Sequence, residues 1–324
     1  MKAALCKRLE GPAGLEIADI AAPEPGKGEV LVAVKAAALN FFDTLITRGK
    51  YQARPELPFS PSAEVAGVVA GIGPGVEGIR VGERVMGYIG WGGAREAIVA
   101  PASVLVPIPA GVSDAVAAGV SVTYGTAIHG LKDRGHVRPG ETVAVLGAAG
   151  GAGLAAVEIA KLMGARVIAV ASSAEKLEVC RAHGADALLN YADTDLKAGL
   201  RKLTGETGVD VVYDCVGGEA SEASLRALAW RGRLLVVGFA SGEIPKIALN
   251  LLLLKGADAV GVFWGESVKR DPEGHRRNMR QVLDWIAEGK LNPHVHATYP
   301  LERIGEAIGV LDRREAVGKV VLTL

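Results

Sequence analysis

The feature that most constrains this chain is Val143-Ala144-Val145-Leu146, followed by Gly147-Ala148-Ala149-Gly150-Gly151-Ala152-Gly153 and then by an amphipathic run over residues 154–163. A short apolar strand, a glycine turn and a helix in that order open a βαβ unit, and such a unit requires a parallel strand to return to. Residues 167–170, 209–213 and 234–237 supply further apolar runs, separated by helical stretches that include 174–183. That alternation predicts a doubly wound parallel sheet covered on both faces.

The glycines carry a chemical implication. A pyrophosphate group can lie against bare backbone N–H groups at a helix N-terminus, where the helix dipole favours an anion. Gly150 and Gly151 permit the close approach, Ala149 and Ala152 complete the loop, and Gly153 lets the helix pack tightly on the strand. The turn departs from G-x-G-x-x-G in having Ala148, and an ordinary turn in a parallel α/β domain is the competing reading. The second strand ends Ala169-Val170-Ala171-Ser172-Ser173, so Ala171 stands where an acidic side chain would receive a ribose 2′-hydroxyl. Ser172, Ser173 and Lys176 offer donors to a 2′-phosphate instead, which favours NADPH over NADH.

Outside this region the character changes. Residues 1–111 are short apolar runs cut by Gly and Pro, the pattern of a small all-β unit, and Ser113-Asp114 then open a helix. Near the other end come a helix over 277–288 and a strand over 319–324 that has no βα partner. Returning that strand to the first domain makes it discontinuous, with residues 1–118 and 266–324 in one domain and 119–265 in the other. Each is large enough for its own core.

Charge and cysteine content narrow the classes further. Lys plus Arg number 36 and Asp plus Glu number 36, so no net field draws the chain to nucleic acid or to an anionic membrane. The basic run from Lys269 to Arg277 includes two acids and no aromatic residue, and reads as a solvated loop leading into a helix. The apolar segments 143–160 and 247–264 are interrupted by Glu158 and by Lys255 and Asp258, so no membrane span is expected. The opening apolar stretch is too short for a signal peptide, and three dispersed cysteines fit a reducing cytoplasm. His294 and His296 alternate along one strand but lack a third ligand, so no metal site is expected.

Further motifs bring a family into view: Glu29-Val30-Leu31-Val32, Leu39-Asn40-Phe41-Phe42-Asp43 with Gly49 and Tyr51, Gly82-Glu83-Arg84-Val85, the glycine loop, Asn190-Tyr191 and Gly318-Lys319-Val320-Val321-Leu322. In order and spacing the chain resembles the zinc-free quinone oxidoreductase branch of the medium-chain dehydrogenase/reductases, the ζ-crystallin type. The resemblance implies a GroES-like β-domain plus a Rossmann domain, with the active site in the cleft between them. Zinc members of that superfamily use Cys and His ligands where this chain has Asn40 to Asp43 and Ser62-Ala63-Glu64, and no cysteine lies between Cys6 and Cys180 to form a structural zinc loop.

By resemblance, Asn40 and Thr126 lie near the nicotinamide, and Tyr51 near the acceptor, where it can donate to a developing oxyanion. Asp43 is expected to fix backbone or a neighbouring helix rather than to do chemistry. Tyr191 and Arg314 help hold the 2′-phosphate, and Gly217, Gly238, Phe239 and Phe263 line the nicotinamide side. The implied activity is NADPH-dependent reduction of quinones or activated alkenes. Reduction of α,β-unsaturated acids or carbonyls stays open as a second activity, and a crystallin-like or RNA-binding role as a non-catalytic one. The apolar stretches 248–254 and 257–264 read as a sheet edge that pairs with its copy, which predicts a homodimer.

Overall fold

The computed structural model describes residues 1–324. The chain divides into two units, Met1–Val122 with Arg270–Leu324, and Thr123–Lys269. Both junctions fall a few residues beyond the positions suggested by the sequence pattern.

The first unit is built on β strands. β1 (Lys2–Cys6) and β2 (Leu15–Asp19) form an antiparallel pair. The main sheet contains β3 (Glu29–Leu39), β4 (Glu64–Ile72), β5 (Arg84–Tyr88), β6 (Ala97–Pro101) and β7 (Leu105–Pro107), together with β14 (Val295–Pro300) and β15 (Lys319–Thr323) from the far end of the chain. β3 is its spine. It is 11 residues long, so β6 pairs along its first half and β15 along its second, while β4 covers the other edge. Val30, Val32 and Val34 alternate inward from β3 and join Val65, Val69, Leu105, Val320 and Leu322 in the core.

The second unit is a parallel sheet. β8 (Thr142–Leu146), β9 (Arg166–Ala171), β10 (Ala187–Asn190), β11 (Val209–Asp214), β12 (Leu228–Val236) and β13 (Asp258–Gly261) take the order β10-β9-β8-β11-β12-β13. Numbered within the unit this is 3-2-1-4-5-6, the Rossmann order, with its reversal between β8 and β11. Ala144, Leu146, Ile168, Val170, Val212 and Leu234 fill its interior.

Three sequence expectations shift. β12 begins at Leu228, earlier than the apolar run 234–237 implied, because Val209 already pairs with Leu228. The last parallel strand stops at Gly261, and Trp264 starts a helix, Trp264–Arg270. The stretch read as a loop before residue 277 is helical: Asp271 caps the helix Pro272–Ala287 by accepting from Gly274 N at 2.8 Å, with Pro272 at its first position. No helix is long and apolar enough to cross a membrane.

Candidate functional site

In the second unit the loops after β8 and β11 meet at the sheet's reversal. Gly147 has φ 67°, and a Cβ there would lie 3.1 Å from Val216. Gly150 precedes the helix Gly151–Leu162 in extended conformation, so the N–H groups of Gly151, Ala152 and Gly153 have no intrahelical acceptor. A Cβ on Gly153 would strike Gly147 O at 2.2 Å, which fixes glycine there by packing, while at Gly150 the nearest atom, Gly147 O, is 3.4 Å away. Bare backbone at a 12-residue helix start suits a pyrophosphate.

Asp214 closes the adjoining loop. Its Oδ1 accepts from Val216 N at 2.8 Å and Gly217 N at 2.9 Å, and its other oxygen accepts from the Ser221 hydroxyl. Its backbone oxygen takes Val237 N and Gly238 N, so Gly217, Gly238 and Phe239 are drawn together; a Cβ on Gly217 would lie 2.8 Å from the Phe239 ring. Phe263 stands past β13, exposed. Thr126 is half-buried on the helix Ser121–Ile128.

At the end of β9 the chain offers Ala171, Ser172 and Ser173, and Tyr191 N donates to Ala171 O at 3.2 Å, bringing Tyr191 alongside. Ser173 has a local task as well. Its Oγ caps the helix Ala174–Ala182 by accepting from Lys176 N at 3.4 Å, and it helps hold the Glu175 carboxyl below its ordinary range, after Glu175's own backbone N–H. Arg314 lies in the first unit, exposed, with φ 59°.

The first unit contains a buried polar cluster. β4 and β15 run antiparallel to β3 on opposite edges, so the end of β3 lies beside the starts of both. Asn40 follows β3, Glu64 opens β4 and Lys319 opens β15. Lys319 Nζ donates to Leu39 O at 3.0 Å, Asn40 Oδ1 at 2.6 Å and Glu64 Oε1 at 2.7 Å, which uses all three of its protons. Asn40 Nδ2 donates to Glu64 Oε1 at 2.9 Å, and Glu64 Oε2 accepts from Val122 N at 2.7 Å. Glu64 is 0% and Lys319 4% exposed, so the two charges compensate each other in a desolvated place.

Asp43 lies in the next layer. It accepts from Asn40 N at 2.7 Å and Ser62 N at 2.9 Å, as a residue that fixes backbone should. Burial nevertheless pushes its carboxyl up to about 7, against the opposing pull of those two N–H groups and of Lys319. Tyr51 stacks on Phe42 with ring centroids 5.2 Å apart. Burial, and then the Asp43 charge, raise its phenol above the ordinary range. Tyr88, opposite Glu64 on β5, is pushed up to about 12 by burial, with Tyr51, Glu64 and Asp43 adding to it. The structure thus groups Asn40 with Tyr51 around acids and a lysine in the first unit, and places the dinucleotide residues other than Arg314 in the second.

Two family models match: the alcohol dehydrogenase GroES-like domain over residues 26–110, and the zinc-binding dehydrogenase over residues 151–288. Quinone oxidoreductase-like protein 2 of Rattus norvegicus is 40% identical over 324 residues, covering 100% of this chain and 92% of that protein. The chain belongs to the quinone oxidoreductase family of medium-chain dehydrogenase/reductases. Among solved structures, a mycobacterial protein complexed with NADPH aligns with TM-score 0.93 at 35% identity, and Escherichia coli quinone oxidoreductase complexed with NADPH with TM-score 0.92 at 29%; each alignment covers 100% of both chains.

The name of the second family model raises zinc, and the donor set of this quinone oxidoreductase family member does not suit it. Position 40 is a carboxamide, position 63 a methyl group, and the Glu64 oxygens already serve an ammonium and two N–H groups. No thiolate or imidazole joins them. His296 is engaged elsewhere, with Val317 N 3.4 Å from its Nδ1. Sequence reasoning quoted Glu64 and Lys319 only as parts of motifs. The signal that pairs them is a single charge inside each of two apolar strands, Ala63-Glu64-Val65 and Gly318-Lys319-Val320.

Proposed function

We propose that this protein is an NADPH-dependent reductase of quinones or other electron-poor alkenes that acts without zinc. The observation that carries the reading is the end of β9: Ala171 and Ser172 stand there in place of an acid, on the same sheet as the bare start of the helix Gly151–Leu162. Likeness to two NADPH complexes supports it. Bound NADPH supplies a hydride.

The chain's own residues hold and orient the reactants. The helix start cradles the pyrophosphate, while Ser172, Lys176 and Tyr191 take the 2′-phosphate, with Arg314 as a further candidate. The Asp214 network holds Gly217 and Gly238 at the strand ends. Tyr51, like any phenol, keeps its proton at neutral pH, and burial raises it further, so it serves as a hydrogen-bond donor to an oxyanion.

Steady-state rates with quinone and enone panels, after exhaustive dialysis against a chelator, test the reading. We expect full activity and at least about tenfold tighter binding of NADPH than NADH, the worth of one charged hydrogen bond. Equal dissociation constants for the two cofactors, or activity that is lost with zinc and restored by it, would overturn it.

A further inference from the structure

The Asn40 carboxamide sits between a group that can only donate and a group that, when ionised, can only accept. An ammonium has no acceptor atom and a carboxylate no proton, so the amide atom 2.6 Å from Lys319 must be oxygen and the one 2.9 Å from Glu64 must be nitrogen. Flipping the amide would set N–H against ammonium and oxygen against carboxylate. The lysine stem is held in turn, because a Cβ on Gly119 would lie 3.2 Å from Lys319 Cγ.

We infer that Lys319 is a positioning residue: clamped to Glu64, it fixes the polarity of the Asn40 amide and leaves one Nδ2–H to offer an oxygen acceptor that gains negative charge. One Nδ2 proton is taken by Glu64, Asn40 keeps 8% of its surface exposed, and we assign that face to the other proton. Accepting from an ammonium draws electron density toward Oδ1 and strengthens that remaining donor. The ligand chemistry that fits is a carbonyl or quinone oxygen on its way to an oxyanion. This rests on the reductase reading above.

The test uses the full chain with 15N-labelled asparagine, and the variant Lys319→Met. In the parent, the two Nδ2 protons of Asn40 should resonate well apart, with the Glu64-bonded one downfield; in Lys319→Met that separation should collapse. With a quinone, kcat should fall about a hundredfold, the scale of one lost oxyanion donor, while the NADPH dissociation constant stays within about twofold.

Lys319→Met leaves Glu64 uncompensated, so a second variant joins it: Glu64→Gln with Lys319→Met removes both charges. We expect it to fold and to remain slow, whereas a purely structural role for the pair predicts recovery of both stability and rate. A folded variant with parental kcat, or unchanged amide signals, overturns the proposal. A parent that reduces no acceptor with NADPH overturns the proposed function instead, and the amide signals still report on the clamp.

Discussion

Asp43 shows how one buried carboxyl can set a pH dependence. Its folded pKa is raised to about 7, whereas an unfolded aspartate titrates near about 3.9. Between those values the native state binds the proton more tightly, so this group's contribution to stability falls as pH rises through that window. Asp43→Asn should flatten that slope. It should also cost about 1 to 3 kcal/mol, because a carboxamide has one oxygen for the two N–H groups of Asn40 and Ser62. Urea midpoints from pH 4 to 8 measure both effects, and an unchanged slope would assign the titration to another group. At this scale the sequence was readable where local chemistry sufficed: Ala171 in place of an acid, Asp43 as a backbone anchor. It was opaque where partners are distant, since Glu64 and Lys319 are 255 positions apart. Ser173 shows a second task that the pattern left unread: its hydroxyl also caps its own helix.

Among the elements, β13 is the one whose surroundings call for a partner. It pairs only with β12 at the sheet's edge, and Leu249, Leu253 and Leu254 nearby in the chain are each at least 70% exposed. Val262 N donates to Val236 O at 2.9 Å, so by alternation Val260 also turns toward β12 and Ala259 turns outward. Of the outward groups, Gly261 O is taken by Arg134 Nε at 3.1 Å. We therefore expect a homodimer formed along this edge, and Ala259→Pro, which removes one outward N–H, should release monomers of 33.4 kDa in light scattering. A parent that is monomeric across the micromolar range would refute this. The edge position of β13 was legible in the apolar run 257–264, but its length was not. Periodicity alone cannot tell where a ladder ends and a helix begins: the strand stops three residues short of the run, Val262 and Phe263 are irregular, and Trp264 opens the helix.

For the whole molecule, the sequence announced the Rossmann half through contiguous alternation, and the β half only through short runs whose pairing is non-local. The chain leaves the first unit after Val122, completes the second, and then returns. A chain ending at residue 317 lacks β15 and the ammonium that faces Glu64. Hydrogen exchange on it should find β8 to β13 still protected and β3 and β4 exchanging; protection of both sheets would show that the last strand is dispensable. The threading of β15 beside β3 also fixes an order of events during synthesis. The dinucleotide sheet leaves the ribosome whole, whereas the first 122 residues wait, one strand edge open and one acid unmatched, until the strand that begins at Lys319 emerges. A translational pause inside the second unit prolongs that vulnerable interval.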